Sequence, residues 1–570
     1  MPRVRRRRIH GLVPNTQTLW VRTSHMNELL EPTSEPSHSP QRSHRVDRSR
    51  VVLGAIAGLV SATAALGAAE AVAAFSRTFQ SPVLDVGDRV VDAVPNSVKT
   101  LAIRWFGTND KVALLVGIGS ILAVYAMVVG FVAFGRRFRL ALVGIALFGL
   151  IGAWASQTTR REAPFSAVVP SLVGAAVGVA VLAGLRITAN RRVATHSESD
   201  PASVAPERHP SIAELVPNDR RRFLVAAGTA TAAAAILGSV GRKSRERFSV
   251  ASERRTLGVP RAASPLSPVP AGVGAPVEGV SPFFTPNASF YRIDTVLTVP
   301  QVPVDSWSLR VSGLVDRPFT ISYDQLLQRE LIESDITLTC VSNEVGGKLM
   351  GTARWLGVRL DDLLQEAGVQ TDADQIVGRS VDGYTCGFPV SALDGRDALV
   401  AIAMNGELLP VEHGFPARLI VPGLYGYVSA TKWLEGIELT RFDRFDQYWV
   451  ERGWVEDAPI KVQSRIDTPK GLASVDSGTV AIAGVAWAQT RGIELVEVQI
   501  DDGEWMPVTL ADELNDVTWR QWSYAWEATS GRHTITVRAT EKNGPIQTDE
   551  RTEPFPSGAT GRHQIVVLVR

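Results

Sequence analysis

At 570 residues the chain is about four domains long at roughly 150 residues per domain, which excludes a single small module. Lysine and arginine number 59 against 58 aspartates and glutamates, a formal charge of +1, so the chain is neither a globally basic nucleic-acid binder nor an acidic disordered polymer. Two cysteines, Cys340 and Cys386, exclude a disulfide framework and a four-cysteine zinc site, and the nine histidines lack the spacing of a His-based metal centre or a c-type haem attachment.

Residues 1–50 run from Arg3 through repeated Arg, Pro and Ser without apolar periodicity, and are expected to form a disordered basic cytoplasmic tail, with Met26 as an alternative start. Apolar runs at 51–75, 112–134, 140–155, 167–185 and 223–240 predict a membrane region over 51–240 with about five transmembrane helices. The third and fifth are short for a hydrocarbon core of roughly 30 Å. The basic tail, the turn Gly135-Arg136-Arg137-Phe138-Arg139 and the Arg-rich segment 186–222 fall on one side if every run crosses. The positive-inside rule makes that side cytoplasmic and predicts a multi-pass cell-membrane protein whose later half is extracytoplasmic. The turn at Arg160-Arg161-Glu162 is a mild exception. Gly54-x-x-x-Gly58 and Gly174-x-x-x-Gly178 suit close helix approach and offer a candidate seam for a homodimer. No histidine lies between positions 45 and 195, which excludes a bis-imidazole haem in these helices.

Before the last run stands Asp219-Arg220-Arg221-Arg222-Phe223-Leu224-Val225, similar to a twin-arginine export signal and equally suited to positive-inside anchoring. Passengers of that route fold first, typically around a cofactor. Residues 241–280, rich in Pro, Ser and Gly, are expected to be a linker. Short β-type runs such as 308–311 and 418–421, interleaved with helical candidates at 323–329 and 360–367, predict a mixed α+β domain over 281–443. Alternating runs at 480–485, 495–500 and 534–539, with an Asp501-Asp502-Gly503 turn, predict a β-sandwich over 444–570. Trp487, Trp505, Trp519, Trp522 and Trp526 supply its core and one interface.

Residues able to carry chemistry cluster within 281–443. Cys340 ends an apolar run and precedes the polar, Gly-rich loop Val341-Ser342-Asn343-Glu344-Val345-Gly346-Gly347. Its thiolate would suit a soft transition metal, while a buried inert thiol and a Cys340–Cys386 disulfide are the structural alternatives. Tyr384, in Asp382-Gly383-Tyr384-Thr385-Cys386, presents a hydroxyl to a substrate or is an ordinary turn aromatic. Asn405-Gly406 signals a hairpin, His413 and Arg418 supply donors for an anion, and Lys432 beside Trp433 adds a further cation.

The run from Asn405 to Gly423, Asn-Gly-x-x-Leu-Pro-x-x-His-Gly-Phe-Pro-x-Arg-x-x-x-Pro-Gly, resembles the sulfite oxidase family of molybdopterin oxidoreductases. So do Lys432-Trp433-Leu434 and the lead from Thr285-Pro286-Asn287 to Phe290-Tyr291, and the resemblance covers about 281–570. It implies a molybdopterin-binding domain of sulfite oxidase type followed by an immunoglobulin-like domain that often mediates dimerisation. It further implies that Cys340 coordinates molybdenum, that Tyr384 lies beside the oxo group, and that His413, Arg418 and Lys432 hold the pterin and its phosphate. Asn287, Tyr291, Arg292 and Asn343 fall at cofactor-binding positions on the same basis. The implied chemistry is oxygen-atom transfer on a small-molecule substrate, sulfite or sulfoxide-like, with electrons passed to a separate cytochrome or quinone-linked carrier. Sulfite oxidases carry Asn-Arg-Arg after the ligand cysteine and Arg-Asn-His after the aromatic pair. This chain has Asn343-Glu344-Val345 and Arg292-Ile293-Asp294, a loss of positive charge that disfavours sulfite, and no haem is expected in the chain. The competing reading is a non-enzymatic surface binding protein with a degenerate catalytic domain.

Overall fold

The computed structural model describes residues 48–95, 98, 105–106, 110–158, 164–190, 217–542 and 544–570. The basic tail up to residue 47, the Arg160-Arg161-Glu162 turn and most of the 186–222 segment lie outside the described residues. Five helices are long and apolar enough to cross a membrane: α1 (Arg48–Ala73), α3 (Asp110–Phe134), α4 (Phe138–Thr158), α5 (Val169–Asn190) and α6 (Pro217–Arg245). α4 has 21 residues and α6 has 29, so neither is short, because polar and small residues at their ends continue the helix beyond the apolar runs. Helix α1 packs against α3, α5 and α6. The two small-residue motifs are spent within the chain: a Cβ on Gly58 would meet the Ala126 carbonyl of α3, and one on Gly174 would come within 2.8 Å of the Ala65 carbonyl of α1.

Between α1 and α3 lies α2 (Pro82–Ala93), which packs on α3 and α4. Proline at its first turn and Val83, Val86 and Val90 at helical spacing favour the helix, while Asp85, Asp88, Arg89 and Asp92 give it a charged aspect.

The segment expected to be a free linker is instead laid along the folded domains. α6 runs on to Arg245, and a short helix α7 (Ala251–Thr256) follows. Arg254 donates to the carbonyls of Leu408 and Leu409, Ala263 N donates to Leu331 O, and Val250 and Val273 are buried. Its prolines limit regular structure but leave carbonyls and intervening amides free to bond to neighbours.

Two sheets carry the α+β part. One has strand order β2 (Phe319–Ser322), β1 (Ser308–Gly313), β10 (Leu434–Thr440), β5 (Gln375–Ser380), β6 (Thr385–Pro389). The other has β3 (Leu331–Thr339), β4 (Met350–Arg359), β7 (Leu399–Met404) and β8 (Glu407–Leu408), with β9 (Arg418–Ile420) also on β7. Asn405 (φ 50) and Gly406 (φ 77) form the expected tight turn between β7 and β8. Helix α9 (Leu360–Ala367), after the short α8 (Tyr323–Leu327), buries Leu360, Leu363, Leu364 and Ala367, and Gly368 in the left-handed region ends it.

The C-terminal part is β-rich: a four-stranded and a five-stranded sheet enclose a core that includes Ile482, Val496, Trp522, Val537 and Val567. Its strands begin at Gln463, and the preceding stretch with Trp449, Trp454 and Val455 packs on the α+β core. Trp487 and Trp519 belong to that same core, so they form the contact between the two parts. Across it, Trp519 N donates to Thr337 Oγ1 at 2.8 Å, and Arg465 Nη1 donates to Gly347 O at 2.8 Å. Strand β3 and the loop after it are thereby held from the far side.

Candidate active site

Strand ends and loops from both α+β sheets converge on a pocket of about 890 Å³, its open mouth included. Cys340 stands one residue beyond β3, where the chain turns: Asn343 N donates to Cys340 O, and Asn343 Oδ1 accepts from Leu349 N at 2.8 Å. The Cys340 side chain is 8% exposed and lines the pocket. Burial pushes its thiol up, against hydrogen bonds from Ser342 that favour the thiolate. Cys386 lies in the core as a separate free thiol beside Thr431 Oγ1 at 2.9 Å. The two cysteines therefore make no disulfide, and the alternative that joined them is corrected: Cys386 faces the β5/β6 interior while Cys340 faces the pocket.

Tyr384 reaches the pocket from just before β6, and its hydroxyl donates to Tyr427 O at 2.8 Å. Its ring lies 5.6 Å from Tyr448, and burial raises its pKa well above the usual phenol value. His413 sits in a single helical turn ended by Gly414, whose φ is +112. A Cβ there would stand 3.0 Å from Lys432 Cα and 3.1 Å from Arg418 Cβ, so glycine lets the His413 turn approach the two cations Arg418 and Lys432 closely. His413 Nε2 faces Asn287 O at 3.3 Å, and burial, then Arg418 and Lys432, push its pKa down to about 4. The ring is neutral at pH 7.

Arg418, at the start of β9, is 6% exposed. Its Nη1 donates to His413 O at 3.2 Å, its guanidinium lies 5.2 Å from the Trp355 ring, and its Nε has no partner. Burial lowers its pKa to about 10, so it remains charged. Among the described residues it has no carboxylate partner. Lys432, before β10, is lowered to about 8 by burial, which outweighs its pairing with Asp294 at 2.9 Å. For Asp294, burial alone would raise the pKa, but Lys432, Arg292 and Lys111 hold it well below the ordinary carboxylate range.

Of the residues singled out by sequence, Cys340, Tyr384, Tyr291, His413, Arg418 and Lys432 line one pocket. Asn287, Arg292 and Asn343 do not. Asn287 accepts from Asn405 Nδ2 and donates to Met404 O, and Asn343 braces the Cys340 loop. Arg292 donates to Asp294 Oδ2 at 2.7 Å and so meets the cavity only through that carboxylate. Asp294, Asp382, Tyr427, Trp449 and Trp454 also line the pocket and were not singled out. Their signal was faint, since aromatic residues and acids next to a turn are common at surfaces.

The donor set fits an anionic organic cofactor that brings its own metal ligands. No cluster of three His, Cys, Asp or Glu side chains suited to a metal occurs among the described residues, yet one thiol and one unpaired buried guanidinium open on the same space. A buried cation without a counter-charge is costly unless a ligand supplies one.

Residues 296–449 match the oxidoreductase molybdopterin binding domain. Human mitochondrial sulfite oxidase is 29% identical over 47% of this chain and 58% of its own length, so the chain spans little more than half of that relative. An uncharacterized oxidoreductase, YuiH of Bacillus subtilis, is 34% identical over 30% of this chain and 84% of its own. The sulfane dehydrogenase SoxCD from Paracoccus pantotrophus aligns with a TM-score of 0.44 at 20% identity, over 52% of this chain and 85% of that one. With a matched cofactor-binding domain around this pocket and a relative covered almost throughout, the chain belongs to the sulfite oxidase family of molybdopterin-dependent oxidoreductases.

Proposed function

We propose that this chain is a membrane-anchored, extracytoplasmic molybdenum oxidoreductase that performs oxygen-atom transfer on a small sulfur compound. The observation that carries this reading is the pairing in one pocket of the Cys340 thiol with the unpaired guanidinium of Arg418. Cys340 supplies the protein's thiolate to molybdenum. Arg418, His413 and Lys432 hold the pterin and its phosphate, Arg418 through its free N–H groups and Lys432 as a point charge. Tyr291 and Tyr384 close the pocket around them. Asn287 and Asn343 act by fixing the His413 and Cys340 loops, and Arg292 acts through Asp294. When bound, the molybdenum cofactor would supply the two-electron oxygen exchange; for a sulfoxide reduced to the sulfide and water, two electrons and two protons are consumed, the electrons delivered by a separate cytochrome or quinone-linked carrier.

The pocket favours an uncharged oxidised sulfur compound, a sulfoxide, over anionic sulfite: Tyr427, Trp449 and Trp454 line it together with Asp382, and among the described residues Arg418 is the one arginine that does. Three features support the membrane arrangement. The turn Gly135-Arg136-Arg137 and the arginines of the first turn of α6 lie at the bundle end away from the catalytic domain. At the near end, Phe75, Trp154 and Phe165 are exposed where an interfacial aromatic belt would be. The α6 arginines also suit a twin-arginine signal. The β-rich C-terminal part is read as an immunoglobulin-like sandwich of the dimerisation type.

The test is a substrate panel on the full chain purified from a molybdopterin-competent host, with artificial electron donors and acceptors. Turnover of a sulfoxide, lost on Tyr384→Phe by about 10²-fold or more, is the expected result. Turnover of sulfite with none of any sulfoxide would overturn the substrate assignment.

A further inference from the structure

Three side chains of the helical bundle, Lys111, Asp88 and Asp92, bond to the catalytic domain, and the contacts of Lys111 and Asp92 lead to residues that line or abut the pocket. At the first, Lys111, in the first turn of α3, donates from Nζ to Asp294 Oδ1 at 2.7 Å and to Val296 O at 2.6 Å. The other oxygen of the same carboxylate accepts from Lys432 Nζ at 2.9 Å and Arg292 Nε at 2.7 Å. The Asp294 side chain is 3% exposed. At the second, Asp92, in the last turn of α2, accepts from the Tyr448 hydroxyl at 2.8 Å, and the Tyr448 ring stands against Tyr384. Between the two, Asp88 accepts from Leu297 N at 3.1 Å, which fixes the far end of the 292–297 segment.

One carboxylate with three cations leaves a local charge of +2, and one of the three cations comes from a helix long and apolar enough to cross a membrane. Lys432 faces the pocket and rests 4.7 Å from the Trp433 ring. Without Lys111, Asp294 would be shared between Lys432 and Arg292 alone, and the charge of this four-residue cluster, which stands beside Arg418 and Asp382 in the pocket lining, would fall from +2 to +1. Coulomb interactions at partly buried sites are large enough for that difference to matter.

We infer that the bundle end buttresses the cofactor pocket from behind rather than serving as a plain anchor, and that Lys111 is a positioning residue that keeps Lys432 available to a phosphate-bearing ligand by sharing Asp294 with it. This rests on the cofactor reading of the pocket. It gives the membrane helices a part in the site: the charge that binds the anion is completed from the membrane side.

The experiment uses the full chain made in a host unable to synthesise the cofactor, with inorganic phosphate as probe and affinity read by calorimetry. Lys111→Met should weaken phosphate binding about tenfold, the size of one lost charge-assisted contact, and Lys111→Arg should restore it. Asp294→Asn should move affinity the other way, tightening it, because it removes the negative charge and keeps the cations. A contact that merely docks the domain predicts weaker or unchanged binding for both Met and Asn variants, with a lower Tm alone. That outcome, or a wild-type chain that binds no phosphate, would overturn the inference. The cofactor reading fails separately, on molybdenum content of the chain from a competent host, so the two failures are distinguishable.

Discussion

Arg418 is a buried cation that the described part of the chain leaves without a counter-charge. Such a group destabilises the fold that holds it unless a ligand answers it, so its two roles have opposite signs. Arg418→Met should stabilise the cofactor-free protein, by about 1–3 kcal/mol in chemical denaturation, while reducing retained molybdenum and pterin. Lower stability together with unchanged cofactor content would contradict the assigned role. His413 gives a pH signature. Its pKa is lowered from 6.5 to about 4, so below pH 6.5 the unfolded chain takes up a proton that the folded ring refuses until about pH 4. Its contribution to stability is intact above pH 6.5 and is lost as pH falls through that window, by at most about 3 kcal/mol. In the cofactor-free protein, His413→Gln should flatten the fall in stability between those two pH values, and an unchanged slope would remove histidine from the account. His413 and Arg418 were legible in sequence because the patterned run from Asn405 to Gly423 contains them at fixed spacing, while Cys340, Tyr384 and Lys432, outside that run, followed from the family resemblance it supports. Asp294 was visible only as lost positive charge. Its role as the hub of three cations depends on a helix some 180 positions earlier in the chain, which no local pattern reports.

At the scale of elements, the site depends on β3, whose end presents Cys340 and whose outer edge is braced by the β-rich part. Trp519 is 3% exposed, its amide bonds to Thr337 and its indole nitrogen donates to Phe283 O at 3.0 Å. Trp519→Ala should cost about 3–5 kcal/mol and lower cofactor retention, measured by denaturation and by metal content after dialysis. Loss of stability with full retention would show that the brace does not extend to the loop after Cys340. Periodicity located the five long helices, the hairpin at Asn405-Gly406 and the helix at Leu360–Ala367, because each carries its signal within one turn or one face. It missed α2, a 12-residue helix too short and too charged to stand out beside the long apolar helices. It also read the Pro-rich stretch after residue 241 as a tether, since composition reports missing regular structure and not the carbonyls of Leu331, Leu408 and Leu409 to which that stretch is bonded.

Over the whole molecule, the near-neutral sum of 59 basic and 58 acidic residues conceals unlike parts. Among the described residues Arg136, Arg137, Arg139, Arg220, Arg221 and Arg222 stand at one end of the helical bundle, and the catalytic domain sits at the other, joined to it through Lys111, Asp88 and Asp92. The glycine motifs that suggested a seam between two copies are consumed in packing α1 against α3 and α5, where backbones approach closely enough to exclude a side chain. Catalysis on this account belongs to a single pocket lined by strand ends and loops of the α+β domain and buttressed from behind by the helical bundle. The central claim is that the pocket holds molybdopterin through Cys340. It is tested most directly by metal and pterin analysis of the full-length protein from a cofactor-competent host, beside Cys340→Ser made in parallel. The account predicts stoichiometric molybdenum and pterin in the wild type and loss of the metal with abolished turnover in the variant; wild-type protein without molybdenum, or a Cys340→Ser protein that keeps both metal and turnover, would contradict it.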